Sequence, residues 1–375
     1  MAASFSSRRR LALACLLTLA GCHDLDRISV VPACEPNFVR VGDKCLPEPP
    51  TCAGDAPTCG PGKNDSCCSF DLVDTSKDAN GGRFDRSYDT SGQPEQSGLQ
   101  VIGFQAKGAA TAIISPYYLD RYEVTVGRFR KLYNIYDEWL RNNPLAGAGA
   151  HTKSAKVGWR SSWRQPETFS TSKEQLRAAL AGPPGQDIDK GCEPQVLAAL
   201  EDPTGANDHK PMTCINWYEA YLFCIYDGAR LPTEAEWNYA AAGGSQQRAY
   251  PWSPLDGDGI VIGDEYANVA APAGAFRLLD VGSLPKGMAR FGHHDLAGNA
   301  IEWVFDRCST CAEYRSPNAT DPVDIDVPGD VNVIARGGSF RFGWGNARTA
   351  FRQRVQADAN GRFQDTGWRC ARNGP

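Results

Sequence analysis

Cysteine carries most of the chemical potential of this chain. There are 14 cysteines, and two of them, Cys15 and Cys22, lie within the first 22 residues. The other twelve form two even sets, six from Cys34 to Cys68 and six from Cys192 to Cys370. Even sets of this kind predict disulfides in an oxidising compartment. A thiolate zinc centre needs paired C-x-x-C units, and only Cys308-Ser-Thr-Cys311 has that spacing. Such a pair also occurs in redox motifs, but there it opens a helix that lowers the thiol pKa. His293 and His294 precede Asp295, a run that could touch a hard metal such as iron. Adjacent strand residues point to opposite faces, so the plainer reading is a polar pair of no chemical role. His151 and His209 show no usable pattern.

Cys22 has a different context. Arg8, Arg9 and Arg10 precede the apolar run Leu11 to Ala20, which is too short to span a bilayer and fits the core of a signal peptide. The run ends in Leu19-Ala20-Gly21-Cys22, small residues before a cysteine, the form accepted by a lipoprotein signal peptidase. The expectation is cleavage after residue 21 and acylation of Cys22, with several acyl chains giving a stable anchor. The membrane of a bacterial cell envelope, reached through that anchor on its periplasmic or outer-surface side, is then one partner. Cleavage removes three arginines and no acid from totals of 39 basic and 44 acidic residues, leaving 36 and 44. A mildly acidic chain does not fit nucleic acid as a partner.

These residues must be positioned by the rest of the chain. Residues 22–66 are rich in Pro, Gly and Cys and read as a crosslinked tether that cannot bury enough apolar surface to fold unaided. Residues 67–375 read as one domain. Three helices are expected. One follows Thr125, with Phe129, Leu132, Tyr133, Tyr136 and Leu140 on one face. The second opens at Asn216 with Glu219 three residues on and stops at Gly228; the third opens at Thr233 with Glu236 three residues on and stops at Gly243-Gly244. The stretches 141–210 and 253–290 show little regular pattern. The expected class is α+β, irregular, loop-rich and with few helices.

Several segments, in order, carry a resemblance. They are Tyr117-Tyr118-Leu119-Asp120-Arg121-Tyr122-Glu123-Val124-Thr125-Val126, Pro211-Met212-Thr213-Cys214-Ile215-Asn216-Trp217 and Ala229-Arg230-Leu231-Pro232-Thr233-Glu234-Ala235-Glu236-Trp237. Gly298-Asn299-Ala300-Ile301-Glu302-Trp303 and Arg336-Gly337-Gly338-Ser339-Phe340 follow, and Gly367-Trp368-Arg369-Cys370-Ala371 closes the chain. Over roughly residues 70–375 this resembles the sulfatase-modifying-factor family, the formylglycine-generating enzymes and their relatives. The resemblance implies one loop-rich domain distantly similar to C-type lectins.

Catalytic members of that family oxidise a sulfatase cysteine to formylglycine with oxygen, using copper(I) held by two thiolates, soft ligands for a soft ion. The positions implied for those thiolates hold Phe342 and Ala347 here, so copper is not expected. The resemblance further implies a disulfide between Cys224 and Cys370, while the counterparts of a second one are Ala241 and Arg352. Of the remaining cysteines, Cys192 is assigned to Cys214 and Cys308 to Cys311. It also implies calcium on Asn299 and Glu302, oxygen ligands suited to that ion, and a second site at Asn268 with Asp280 as partner. The expectation for function is a binding module without formylglycine-generating activity. Phe340, Phe342 and Trp344 would line its cleft, where an unknown peptide, glycan or protein ligand stacks. The alternative is a divergent oxidase or hydroxylase acting on an exported protein or small molecule; a purely structural envelope role ranks third.

Overall fold

A computed structural model of the chain describes residues 34–375 apart from 36–37, 42, 90–100, 103–104, 106, 144, 154–157, 183–191, 193, 255–259, 271–276, 309–313, 315, 326–331 and 357–360. The expected signal peptide, Cys22 and Cys311 lie outside the described residues. Strands β1 (Phe38–Val41), β2 (Lys44–Pro47), β3 (Phe70–Val73), β4 (Arg83–Asp85), β5 (Val101–Ile102), β6 (Thr111–Ile113) and β7 (Tyr117–Asp120) come first. Six α-helices follow: α1 (Val126–Asn134), α2 (Tyr136–Asn142), α3 (Lys173–Ala181), α4 (Pro194–Glu201), α5 (Trp217–Tyr226) and α6 (Glu234–Ala241). The C-terminal part holds β8 (Ile301–Cys308), β9 (Asn332–Arg336), β10 (Arg352–Gln356), β11 (Thr366–Trp368) and β12 (Ala371–Asn373). The main sheet has the order β11-β8-β9-β10-β5, with only β11 and β8 parallel, and a second sheet has the order β12-β7-β3. Short helices and short sheets joined by long loops are the α+β arrangement expected.

Strand β8 divides the core. Its side chains alternate between faces, as the pleat demands. Ile301, Trp303 and Phe305 enter the core shared with α1 to α5, whereas Val304 and Cys308 enter the one shared with α6. Helix α5 is buried from Trp217 to Cys224, as a helix apolar on all sides must be. Two indoles lock it to the sheet. Trp217 Nε1 donates to Val304 O at 2.7 Å, and Trp303 Nε1 donates to Ile215 O at 2.8 Å. Both expected capping boxes form, Asn216 with Glu219 and Thr233 with Glu236.

Two expectations need correction. The helix after Thr125 is two helices, because Ile135 leaves the helical region at φ −114°, ψ 16°. Tyr136 and Leu140 keep the buried face beyond the break. The patternless stretch 141–210 contains α3 and α4. Each buries only a pair of leucines, Leu176 with Leu180 and Leu197 with Leu200, which is too little to show as a stripe.

Five disulfides are formed among the described residues: Cys34–Cys45, Cys52–Cys68, Cys59–Cys67, Cys192–Cys214 and Cys224–Cys370. The last two are the pairs expected, and Cys308 is also disulfide-bonded. Cys52–Cys68 and Cys59–Cys67 cross the expected boundary between tether and domain at residue 66. The segment before that boundary also docks on the body. Buried Thr51 donates to Asp227 Oδ1 from its amide at 3.3 Å and its hydroxyl at 2.7 Å.

Cys224–Cys370 spans a sequence separation of 146. Chain-entropy arguments give a loop of that length about 4–5 kcal/mol of stabilisation. Replacing both cysteines by alanine is expected to lower unfolding free energy by about that amount. Urea titration of both proteins under non-reducing conditions measures it, and a loss below about 1 kcal/mol contradicts the assignment.

Candidate functional site

The first centre lies where β8 begins. Asn299 adopts φ +60° just ahead of the strand. Its Oδ1 accepts from Asn268 Nδ2 and from Leu279 N, each at 3.0 Å, and its Nδ2 donates to Glu123 Oε2 at 2.7 Å. Ala300 N donates to the other Glu123 oxygen at 2.9 Å. Glu302, wholly buried, takes a fork of two bonds from Arg369 at 2.6 and 2.8 Å and a third from Trp237 Nε1 at 2.8 Å.

The residues expected to hold calcium do not fit that role in this arrangement. Both oxygens of Glu302 are engaged by a guanidinium, the strongest planar partner a carboxylate has. The Asn299 oxygen already accepts two N–H groups. Asn268 orients Asn299, donating also to Arg277 O at 3.0 Å. Asp280, the suggested partner of Asn268, faces Lys63 and Lys210 instead.

Negative charge nevertheless concentrates here. Burial first, and the charges of Asp295 and Glu302 second, push the Glu123 carboxyl well above its usual range. Burial likewise pushes Asp295 up to about 6, although a backbone bond from Gly282 pulls the other way. The two histidines expected to diverge do so. His293 Nε2 lies 3.3 Å from Leu119 O, while His294 stacks on Tyr122 at 5.5 Å. Burial is the main force holding both imidazoles down to about 4, so they are neutral near pH 7.

The second centre surrounds residues 338–347. Gly338 adopts φ +67°, and a Cβ there would meet Asn346 backbone atoms at 2.8 Å, so the turn closes tightly. Ala347 is fully buried among Ala249, Tyr250, Ala267, Val269 and Ala297. Phe340 is buried too, only 8% exposed, and lines no open cleft. Phe342 is half-buried against the helical core. Of the three aromatics expected to form a cleft, only Trp344 joins a partly open cluster.

That cluster is built by residues the sequence reading missed. Tyr250 stacks on Trp252 with ring centres 5.3 Å apart, and Trp252 stacks on Tyr266 at the same distance. Trp344 closes on this ladder edge-on, 5.8 Å from Tyr250 and 6.3 Å from Trp252. Its carbonyl accepts from Tyr250 Oη at 3.0 Å, which fixes the pair. Val261 and Ile262, each 50% exposed, lie beside it, and Val261 O accepts from Trp252 Nε1 at 2.8 Å. The aromatic run Tyr250-Pro251-Trp252 was the available signal, but the surrounding stretch lacks the periodicity that would place it on a face.

The raised Asp295 carboxyl has a consequence for stability. Its folded form binds a proton between about pH 4 and pH 6 that the unfolded chain has released. This contribution is therefore fully present below about pH 4 and is lost as pH rises through about 6. The slope is below about 1.4 kcal/mol per pH unit. Asp295→Asn is expected to flatten the fall in Tm over that window, as followed by calorimetry at closely spaced pH values. An unchanged slope in the variant contradicts the assignment.

A family model, the sulfatase-modifying factor enzyme 1-like domain, matches residues 79–374. The formylglycine-generating enzyme of Bos taurus is 26% identical over 251 residues, covering 62% of this chain and 59% of that protein. The inactive C-alpha-formylglycine-generating enzyme 2 of Bos taurus is 28% identical over 167 residues, covering 43% of this chain and 50% of that protein. The chain thus spans between half and three fifths of the length of these curated relatives. PvdO from Pseudomonas aeruginosa superposes with a TM-score of 0.50 at 19% identity, covering 78% of this chain and 91% of that one, a likeness of fold. With nearly the whole described domain inside the match, the chain belongs to the family of sulfatase-modifying factor enzyme 1-like domains.

Proposed function

We propose that this chain is a lipid-anchored protein of the bacterial cell envelope whose domain binds a ligand and does not generate formylglycine. The observation that carries the reading is the chemistry of the loop from Ser339 to Ala347. A copper(I) centre of the family's kind needs two thiolates. Phe342 and Ala347 offer none, and Ala347 is sealed in a small apolar core. The nearest described cysteines in sequence, Cys308 and Cys370, are both in disulfides.

What the loop does present is Trp344 against the ladder of Tyr250, Trp252 and Tyr266. Flat aromatic faces beside exposed apolar side chains suit stacking on a sugar ring or on an aromatic or aliphatic peptide side chain. One relative is itself named an inactive formylglycine-generating enzyme. Fold and activity therefore separate within this family, as they do elsewhere. The anchor rests on Cys22 and the run before it.

A peptide containing Cys-x-Pro-x-Arg, incubated with the protein, copper(I), oxygen and a reductant, is expected to keep its thiol. Mass spectrometry reads the result, and conversion to the aldehyde sinks the proposal. Metal analysis of purified protein separates the binding reading from a divergent oxidase. Stoichiometric iron or copper moves the chain to the oxidases. Under the binding reading, oligosaccharides or peptides that perturb tryptophan emission lose about tenfold in affinity on Trp344→Ala, the loss of one stacked ring.

A further inference from the structure

Away from both centres, a cleft of about 420 Å³ opens between the disulfide-rich segment, the first turns of α1 and the loop 204–209. Cys67 lines it, half-buried, and its partner Cys59 lies just beneath, 1% exposed. His209 lines the same cleft. One of its ring nitrogens and the two sulfurs all lie within 4.8 Å of one another, and its Nδ1 is buried without a hydrogen-bond partner. Every other charged side chain facing it is paired. Arg130 holds Asp208, Lys131 holds Asp55, and Arg128 holds Asp120 and Asp227. Thr58 Oγ1 is 3.7 Å from Cys67 Sγ.

The disulfide is also dispensable for keeping its own sulfurs together. It closes the shortest of the described disulfide loops, a separation of 8, and so restrains the unfolded chain least. The hairpin it closes is held independently. Cys59 and Asp65 exchange backbone bonds of 2.8 and 3.1 Å, and Asp65 is fixed by Arg121, by Tyr122 at 2.9 Å and by Ser69 at 2.7 Å. Opening the bond leaves two thiols in place beside an imidazole, the side chain suited to carrying a proton at neutral pH.

The geometry points to Cys59–Cys67 as an exchangeable disulfide that oxidises low-molecular-mass thiols entering the cleft, with His209 as proton donor. The incoming thiol gives its proton to water and its sulfur attacks Cys67 Sγ. The S–S bond breaks, its electron pair goes to Cys59 Sγ, and His209 supplies the proton that completes the Cys59 thiol. A second thiol attacks the sulfur of the bound small molecule, releases the oxidised dimer and leaves the Cys67 thiol. Two small thiols are thus oxidised to one disulfide as the protein disulfide is reduced. A cleft of this volume accommodates a tripeptide-sized thiol.

The test uses the intact folded protein and reduced glutathione as the probe. Timed samples are acid-quenched, alkylated and mapped by mass spectrometry, so each disulfide is followed separately. Cys34–Cys45, whose Cys45 is exposed, is the internal reference. In the wild type, Cys59–Cys67 is expected to open faster than the buried Cys52–Cys68, with a glutathione adduct on Cys67. In His209→Ala, the rate of Cys59–Cys67 opening relative to Cys34–Cys45 should fall about tenfold. The variant removes no hydrogen bond, because only the His209 carbonyl is engaged, by Val281 N at 2.9 Å. The proposal is overturned if Cys59–Cys67 opens no faster than Cys52–Cys68. It is equally overturned if His209→Ala and His209→Gln leave the relative rate unchanged.

Discussion

The fold depends on one buried knot of charge. Arg128 on α1 holds Asp120 at the end of β7 at 2.9 Å and Asp227 beyond α5 at 2.6 Å, all three at most 2% exposed. Arg372 on β12 reaches the same two aspartates. Burial works to raise the Asp120 carboxyl, but Arg128 and Arg372 outweigh it and leave it below its ordinary value. Two cations facing two anions make the desolvated cluster neutral, and it survives on that balance. Removing one partner from such a group strands a charge and costs about 3–5 kcal/mol. The knot also receives Thr51, whose hydroxyl accepts from Arg128 Nε at 3.2 Å. Cys224–Cys370 lies beside it, since Cys370 N donates to Asp120 Oδ2 at 3.3 Å. Helix α1, the central strand and one edge of the second sheet, and the crosslinked segment meet at this point.

The same logic explains why the family signature reads as architecture. Arg230 forks onto Glu236 at 2.7 Å, Arg369 onto Glu302, and Arg336 pairs with Glu234 while donating to Thr349 O and Phe351 O. These are motif residues, and each satisfies a buried backbone or helix end. A shared pattern of this sort transmits the frame, and a frame carries no activity by itself. Where the second disulfide of the family would sit, Ala241 packs in the core. Arg352 lies with its guanidinium 4.2 Å from the Tyr314 ring, to which Arg86 also comes within 3.7 Å.

Features that rest on near neighbours in sequence were legible; those that rest on distant contacts were not. The capping boxes of α5 and α6 need residues three apart, so they could be read directly. The break at Ile135 depends on tertiary packing, and α3 and α4 are held by a few leucines against partners elsewhere. The ring ladder of Tyr250, Trp252, Tyr266 and Trp344 joins residues up to 94 apart. Glu302 was legible only as an oxygen donor; its burial against Arg369, 67 residues away, was not. An oxygen-rich motif without its counter-charge therefore read as a cation site. Docking of Thr51 on Asp227, 176 residues distant, left no local trace at all.

The crosslinks before β3 also determine how the molecule answers to traction. Tension on the chain ahead of Cys34 runs through Cys34–Cys45 and then Cys52–Cys68, so the residues inside those loops pay out no length. The covalent path enters the body two residues ahead of β3. On the way, load falls first on the Thr51 bonds to Asp227, just ahead of Cys52. Strand β3 is an edge strand, paired only with β7. The far edge of that sheet, β12, is stitched to α5 by Cys224–Cys370, adjacent to the strand. Rupture under pull would thus begin at the docked segment and spare the covalently braced half, so the domain yields in a graded sequence instead of all at once.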